Sequence, residues 1–343
     1  MSSCPCDAVV ILEKTMDESI TPENGAGIHT RTAKAPPQNR TRSFGTTPPR
    51  ITELRTVGPT AGYDPKIAYL TSVISGWSYS DAETMGRQLA FYGLPECTVR
   101  QFNVVNRAML IVASAYYVRS RDGKIGVLAF RGTVPEDVMN WLTDANTSLR
   151  NFSFGKVHAG FFANLQPLWG ELMEELDNSL TRQGDRAPIE NLYITGHSLG
   201  AAMAVIAAAR LCSNDYETFQ PMLRGVYTFG QPAAGDSAFG AHCESRFKLY
   251  RHVYRADVVP HLPPQSVGPY SHFGYEFLAT EDGWQNVSPA MGKLAGVLTG
   301  AALSAAFDFV TRRITFLRHF RFPYSMDDHG PEGYISTSRN SLG

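Results

Sequence analysis

The sequence predicts an α/β fold, a mostly parallel sheet with helices on both faces. Short β-type runs alternate with helical stretches from about residue 63 onward, and that alternation argues for a parallel sheet. At one junction, Leu192–Ala204, an apolar β-type run passes through Gly196-His197-Ser198-Leu199-Gly200 straight into an alanine-rich helical run. Three residues able to do chemistry, Thr133, Ser198 and Asp257, each fall just past the end of a β-type run. In a sheet of this kind those ends share one edge, where sites form.

Residues 1–60 are rich in Thr, Pro, Ser, Asn and Arg, with Ala35–Arg42 and Thr46–Arg50 as examples. Such composition buries too little apolar surface to offset chain entropy, so this stretch reads as a largely disordered leader. Residues 61–343 read as one domain. Ile67, Ala68, Leu70, Val73, Ile74, Met85, Leu89 and Phe91 recur at helical spacing between Tyr63 and Tyr92. Asn103–Val118 is dense in β-formers and reads as strand or hairpin, Arg121–Lys124 as a turn, and Ile125–Phe130 as a short buried strand. Pro135, Glu136 and Asp137 are helix-start residues, after which Val138, Trp141, Leu142 and Ala145 line one face. Val157–Phe162 leads into a long amphipathic helix reaching about Leu180; His158, within it, suits a structural hydrogen bond better than a place in the site. The helix after Ser198 runs to about Cys212. Val226–Phe229 and Tyr250–Arg255 are further strands, the second delivering the chain to Asp257.

The junction at Ser198 carries the chemistry. A strand-to-helix turn this tight leaves no room for side chains beside the serine, and Gly196 and Gly200 remove them. The Leu199 N–H then lies at a helix start, where amides are unpaired and the dipole is positive. The Thr133 N–H and hydroxyl could supply the other half of an oxyanion site; the same residue suits a cap of the next helix.

A serine needs a base to take its proton, and the base is commonly a histidine oriented by a carboxylate. In this sheet type the chain order is Ser, then Asp or Glu, then His. The carboxylates after Ser198 include Asp215, Asp236, Asp257, Glu276 and Asp308. Asp257 is best placed, directly after a strand, with Asp236 next. The histidines after it are His261, His272, His319 and His329. His329 sits in Asp327–Pro331, a loop composition able to bring an imidazole over the sheet; position alone does not dismiss His272.

These pieces resemble the class 3, fungal-type lipases. The matching segments are Phe130–Thr133, Asn140–Asp144, Val157–Phe161, Ile194–Ala202, Thr228–Pro232, Arg255–Pro260, and Asp328-His329 with Tyr334 behind it. They stand in the family's order from about residue 63 to 335. The resemblance implies an α/β-hydrolase fold, with Ser198 as nucleophile, Asp257 as orienter and His329 as base. It implies Thr133 and Leu199 as oxyanion donors and Val138–Leu142, with Trp141, as a lid. The expected activity is carboxylic-ester hydrolysis through an acyl-enzyme. A triacylglycerol lipase comes first, with a phospholipase A1 or short-chain carboxylesterase as alternatives within the chemistry. A lipase-like binding scaffold is the alternative outside it, disfavoured because all three residue types are present.

A helical insert of about 286–322 departs from the family pattern. In it Gly292, Gly296, Gly300 and Ser304 form a smooth stripe, and Leu294–Phe307 is 14 uncharged residues, short of the ~20 that span a bilayer. Packing on the domain is its expected role, contact with a membrane the sharper alternative. Hydrophobic residues make up 43% of the chain, charged residues 18%, and the net charge is -1, which gives no basis for a nucleic-acid surface. The five cysteines are scattered and no zinc-type spacing occurs, so neither a disulfide framework nor a metal is expected, and the chemistry needs no cofactor. The expected partner is a lipid or ester, at a membrane or emulsion interface, with no obligate protein partner. Ala8–Leu12 is too short and lacks preceding basic residues for a secretion signal, which makes the cytoplasm the default.

Overall fold

The structure, a computed structural model, describes residues 62–106, 111–133, 148–263, 268–287 and 325–343. The leader over 1–60 and the face carrying Val138, Trp141 and Leu142 lie outside the described residues. So does the insert, except Asn286 and Val287, which end a strand.

Among the described residues the main sheet has eight strands. In chain order they are β1 (Thr98–Asn106), β2 (Ile111–Arg119), β3 (Ile125–Phe130), β6 (Asn191–His197), β7 (Leu223–Phe229), β9 (Leu249–Val253), β11 (Tyr275–Thr280) and β12 (Gly283–Val287), and their spatial order is the same. β3, β6, β7, β9 and β11 run parallel, while β1, β2 and β12 join antiparallel at the edges. A second, small antiparallel sheet joins β4 (Leu149–Asn151), β5 (Lys156–His158), β8 (Gly235–Asp236) and β10 (Tyr270–Ser271).

Both faces of the main sheet are covered. Leu128, Phe130, Leu192, Ile194 and Val226 point into one core with α3 (Ala159–Leu165), α4 (Trp169–Ser179) and α5 (Leu199–Leu211). The alternate positions Val127, Ala129, Tyr193, Tyr227 and Phe229 point into the other, with α1 (Pro65–Trp77), α2 (Ala82–Phe91) and Tyr334. That two-sided burial is why β3, all six of whose residues are buried, is apolar throughout instead of alternating. α5 is buried at every position but Arg210, and its alanines let it lie close against the sheet. The remaining helices are α6 (Ser237–Glu244) and α7 (Pro331–Asn340).

The helical stretch from Tyr63 to Tyr92 divides into two helices, and one expected helix is broken. The stretch from Tyr63 to Tyr92 is α1 and α2, separated where the Ser78 and Ser80 hydroxyls donate to the Ser75 and Trp77 carbonyls (2.6 and 2.7 Å). Asp81 then restarts the chain by accepting from the Thr84 N–H at 2.8 Å. The helix expected to run to Leu180 is α3 and α4 joined by a 3-10 turn, Gln166–Leu168, which contains Pro167. Proline has no N–H to give the preceding turn. Tyr250–Arg255 was expected to be strand throughout; β9 stops at Val253, and Asp257 lies in the turn beyond.

Candidate active site

β6 enters α5 through Ser198, whose backbone is at φ 59°, ψ -132°, the left-handed side of the map where L residues are strained. A Cβ on Gly196 would stand 2.4 Å from the Gly200 carbonyl oxygen, and one on Gly200 would stand 2.2 Å from that of Phe130. The elbow therefore closes only with hydrogen at both positions. It also brings the start of α5 against the end of β3, beside the Thr133 segment. A Cβ on Gly132 would lie 3.0 Å from Ser198 Cβ. The Ser198 N–H donates to the Phe229 carbonyl at 2.9 Å, tying the elbow to the end of β7.

Asp257 and His329, 72 residues apart, meet in a buried pair with Nδ1 to Oδ2 at 2.7 Å. Every remaining acceptor site used on Asp257 faces a donor. The Tyr334 hydroxyl donates to Oδ2 at 2.5 Å, and the Val259 N–H to Oδ1 at 2.9 Å. The two loops are strapped together by backbone bonds, Ser325 N–H to the Ala256 carbonyl (2.7 Å) and Val258 N–H to that of Ser325 (3.3 Å). Burial, then the Asp257 charge, holds the Tyr334 phenol well above its ordinary value, so it stays a donor.

Gly230 packs against this pair. Its N–H donates to the His252 carbonyl at 3.1 Å, and a Cβ there would meet Asp257 Oδ2 and His329 Cε1, each at 2.9 Å. Ser198 Oγ, Thr133 Oγ1 and His329 Nε2 are buried and have no hydrogen-bond partner among the described residues. Buried polar atoms normally have partners, and where several lack them together a ligand's polar groups can supply them. The Leu199 amide lies at the N-terminus of α5, on the positive end of its dipole.

The other candidates have structural occupations. Asp236 caps α6, accepting from the Phe239 N–H at 2.9 Å. Glu276 pairs with Arg251 at 2.8 Å. The His272 Nε2–H donates to the Pro260 carbonyl at 2.6 Å, and burial holds its ring well below the ordinary histidine value. His261 ends a short 3-10 turn, Val259–His261. His158 caps α3, its Nδ1 accepting from the Gly160 and Phe161 amides (3.1 and 3.4 Å). Asp308 and His319 lie outside the described residues. Among the described residues no group of three or more His, Cys, Asp or Glu is arranged to hold a metal ion.

Sequence reasoning did not assign a part to Gly230, Tyr79 or His197. The last was visible inside the Gly-His-Ser-Leu-Gly turn and the first inside Thr228–Pro232; Tyr79 had no local signal.

The family model described as "Lipase (class 3)" matches residues 127–267. A lipase of Rhizomucor miehei is 33% identical over 178 residues, which are 51% of this chain and 47% of the relative. A triacylglycerol lipase of Arabidopsis thaliana is 29% identical over 194 residues, 46% of this chain and 38% of the relative. The chain thus spans less than half the length of these curated relatives. The crystal structure of a lipase from Rhizopus microsporus var. chinensis superposes with a TM-score of 0.55 at 24% identity, covering 67% of this chain and 83% of that one. That likeness bears on the fold, which is of the α/β-hydrolase type.

Proposed function

Through residues 127–267 the chain belongs to the class 3 lipase family, and from that premise we propose that it hydrolyses carboxylic esters by way of an acyl-enzyme, as a triacylglycerol lipase. The observation that carries this reading is the strained Ser198 elbow standing beside the buried Asp257–His329 pair. In the proposed reaction His329 Nε2 takes the Ser198 proton while Oγ attacks the ester carbonyl. The Asp257 carboxylate, bonded to Nδ1, fixes the tautomer that leaves Nε2 free to accept and stabilises the imidazolium that forms. The carbonyl oxygen becomes an oxyanion, held by the Leu199 N–H and by Thr133; each such donor is worth roughly 100-fold or more in rate. His329 then protonates the departing alcohol, and a water repeats the sequence to release the acid.

Family membership and the names of the relatives support a lipid ester, presented at a membrane or emulsion surface, as the substrate. A fluorophosphonate probe tests the chemistry. The expected result is stoichiometric labelling at Ser198, and a Ser198→Ala variant that folds but loses about 10⁴-fold or more of its turnover. No labelling of the folded chain would leave it a scaffold without activity. Rates on triacylglycerol, phospholipid and short p-nitrophenyl esters then rank the substrates, with triacylglycerol expected first.

A further inference from the structure

A line of hydrogen bonds behind the serine joins three segments that the proposed reaction needs in register. His197, 1% exposed, sits between them. Its Nε2 lies 2.7 Å from the backbone carbonyl of His329, and its Nδ1 lies 2.8 Å from the Tyr79 hydroxyl. The Tyr79 hydroxyl oxygen in turn packs against Gly132, where a Cβ would stand 2.4 Å from it. The chemistry of these groups fixes every proton. A carbonyl only accepts, so Nε2 carries the hydrogen. A neutral imidazole then has Nδ1 as its acceptor, so Tyr79 donates to it. The direction runs without conflict from Tyr79 through His197 to the His329 carbonyl.

The two ends of this line reach the segments that matter, since Tyr79 packs against Gly132. Gly132 precedes Thr133, and His329 carries the imidazole. The middle, His197, is the residue before Ser198, and its ring lies 4.6 Å from that of His329 at 32°. Burial, with the neighbouring His329 acting the same way, holds His197 well below the ordinary histidine value against the opposing bond to the carbonyl. Its ring therefore stays neutral and keeps one tautomer.

We infer that Tyr79 and His197 are positioning residues of the hydrolytic site, a relay that sets the spacing between the oxyanion segment at Gly132–Thr133 and the base at His329. This rests on the hydrolase reading above. Neither side chain touches substrate in this scheme. Breaking the line leaves a buried imidazole nitrogen, phenol hydroxyl or carbonyl without a partner, and the segments shift to repair it. A misplacement of about 1 Å between reacting groups costs on the order of 100-fold in rate.

The experiment is a double-mutant cycle on a soluble short-chain p-nitrophenyl ester, with Tyr79→Phe, His197→Phe and both together. Active sites are counted with the fluorophosphonate probe, so that kcat refers to labelled Ser198. Each single variant is expected to lose about tenfold or more in kcat with KM changed less than about twofold, and the double to lose no more than the worse single, because both break one line. A merely structural part would lower the number of labelled sites and leave kcat per site alone. That outcome, or losses that multiply in the double, overturns the relay and leaves the hydrolase reading standing. Should His197→Phe not fold, His197→Gln takes its place. Its amide keeps the bond to the His329 carbonyl and drops that to Tyr79, so it must reproduce the Tyr79→Phe loss; wild-type kcat in it overturns the relay. If the wild-type chain itself neither labels nor turns over, both readings fall.

Discussion

The space in which Asp257 and His329 meet is kept open by a hydrogen atom on Gly230. That residue adopts φ +61°, and a Cβ there would press on both partners at 2.9 Å. Gly230→Ala therefore carries two penalties, a left-handed backbone costing about 1–2 kcal/mol for an L residue and a clash aimed at the Asp257–His329 pair. Ester turnover is expected to fall about 100-fold, the size of effect a ~1 Å displacement produces, with a much smaller loss in urea midpoint. A variant that unfolds before it slows would show Gly230 to matter for the backbone alone. Ser198, Asp257 and His329 are legible as candidates because each stands in a motif or shortly past a β-type run. Gly230 was readable only as a member of the Thr228–Pro232 segment. Tyr79 was silent, because its partner is 118 residues away and no spacing encodes such a contact.

Among the elements, α7 shows where local propensity gives the wrong sign. Gly333 lies inside this helix, where alanine is ordinarily better by about 1 kcal/mol. Here a Cβ would stand 2.6 Å from Cε1 of the Tyr254 ring, with two further ring atoms within 2.9 Å. An aromatic ring cannot step aside as the end of a flexible chain can, and overpacking of this kind costs about 1–3 kcal/mol. Gly333→Ala is expected to lower stability by about 1 kcal/mol in urea unfolding, and a rise would mean that α7 slides freely over Tyr254. The helix is otherwise pinned by the Trp284 indole N–H to Ser338 and the Trp284 N–H to Ser341, both at 2.8 Å. These contacts explain what the sequence hid. α7 reads Pro-Glu-Gly-Tyr-Ile-Ser-Thr-Ser-Arg-Asn, with little apolar periodicity, because the Ser338 hydroxyl meets β12 at Trp284 while Pro331 and Ile335 meet α1 at Gly76. The short strands β4, β5, β8 and β10 are two or three residues long, below the length at which alternation can be seen. β3, the Ser198 elbow and α5 were legible to within a residue or two because their apolar runs are unbroken and glycine marks the turn.

At the scale of the whole molecule, the neutral histidines sealed within it set the response to acid. Burial lowers His252 to about 3, against an opposing bond to the Thr228 carbonyl, and lowers His158 to about 4. His197 and His272 are pushed the same way. An unfolded histidine binds its proton near pH ~6.5. Between there and the folded values the unfolded chain holds more protons than the native one, so stability is full above about pH 6.5 and is lost as the pH falls. His252 and His158 alone account for a loss on the order of 3 kcal/mol between about pH 6.5 and pH 5, a large fraction of an ordinary domain's stability. In the proposed reaction ester turnover should also fall in acid, because a histidine base that already carries a proton cannot take that of Ser198. The two effects separate experimentally. Protonation of the base lowers the rate at once and is undone on return to neutral pH, whereas the loss of stability appears as a shrinking urea midpoint at pH 7, 6 and 5. His252→Gln is expected to lower the midpoint at pH 7, since the ring's bonds to Tyr63 and Thr228 go with it, and to flatten its descent toward pH 5. An unchanged descent would mean that this ring is not kept neutral in the native chain.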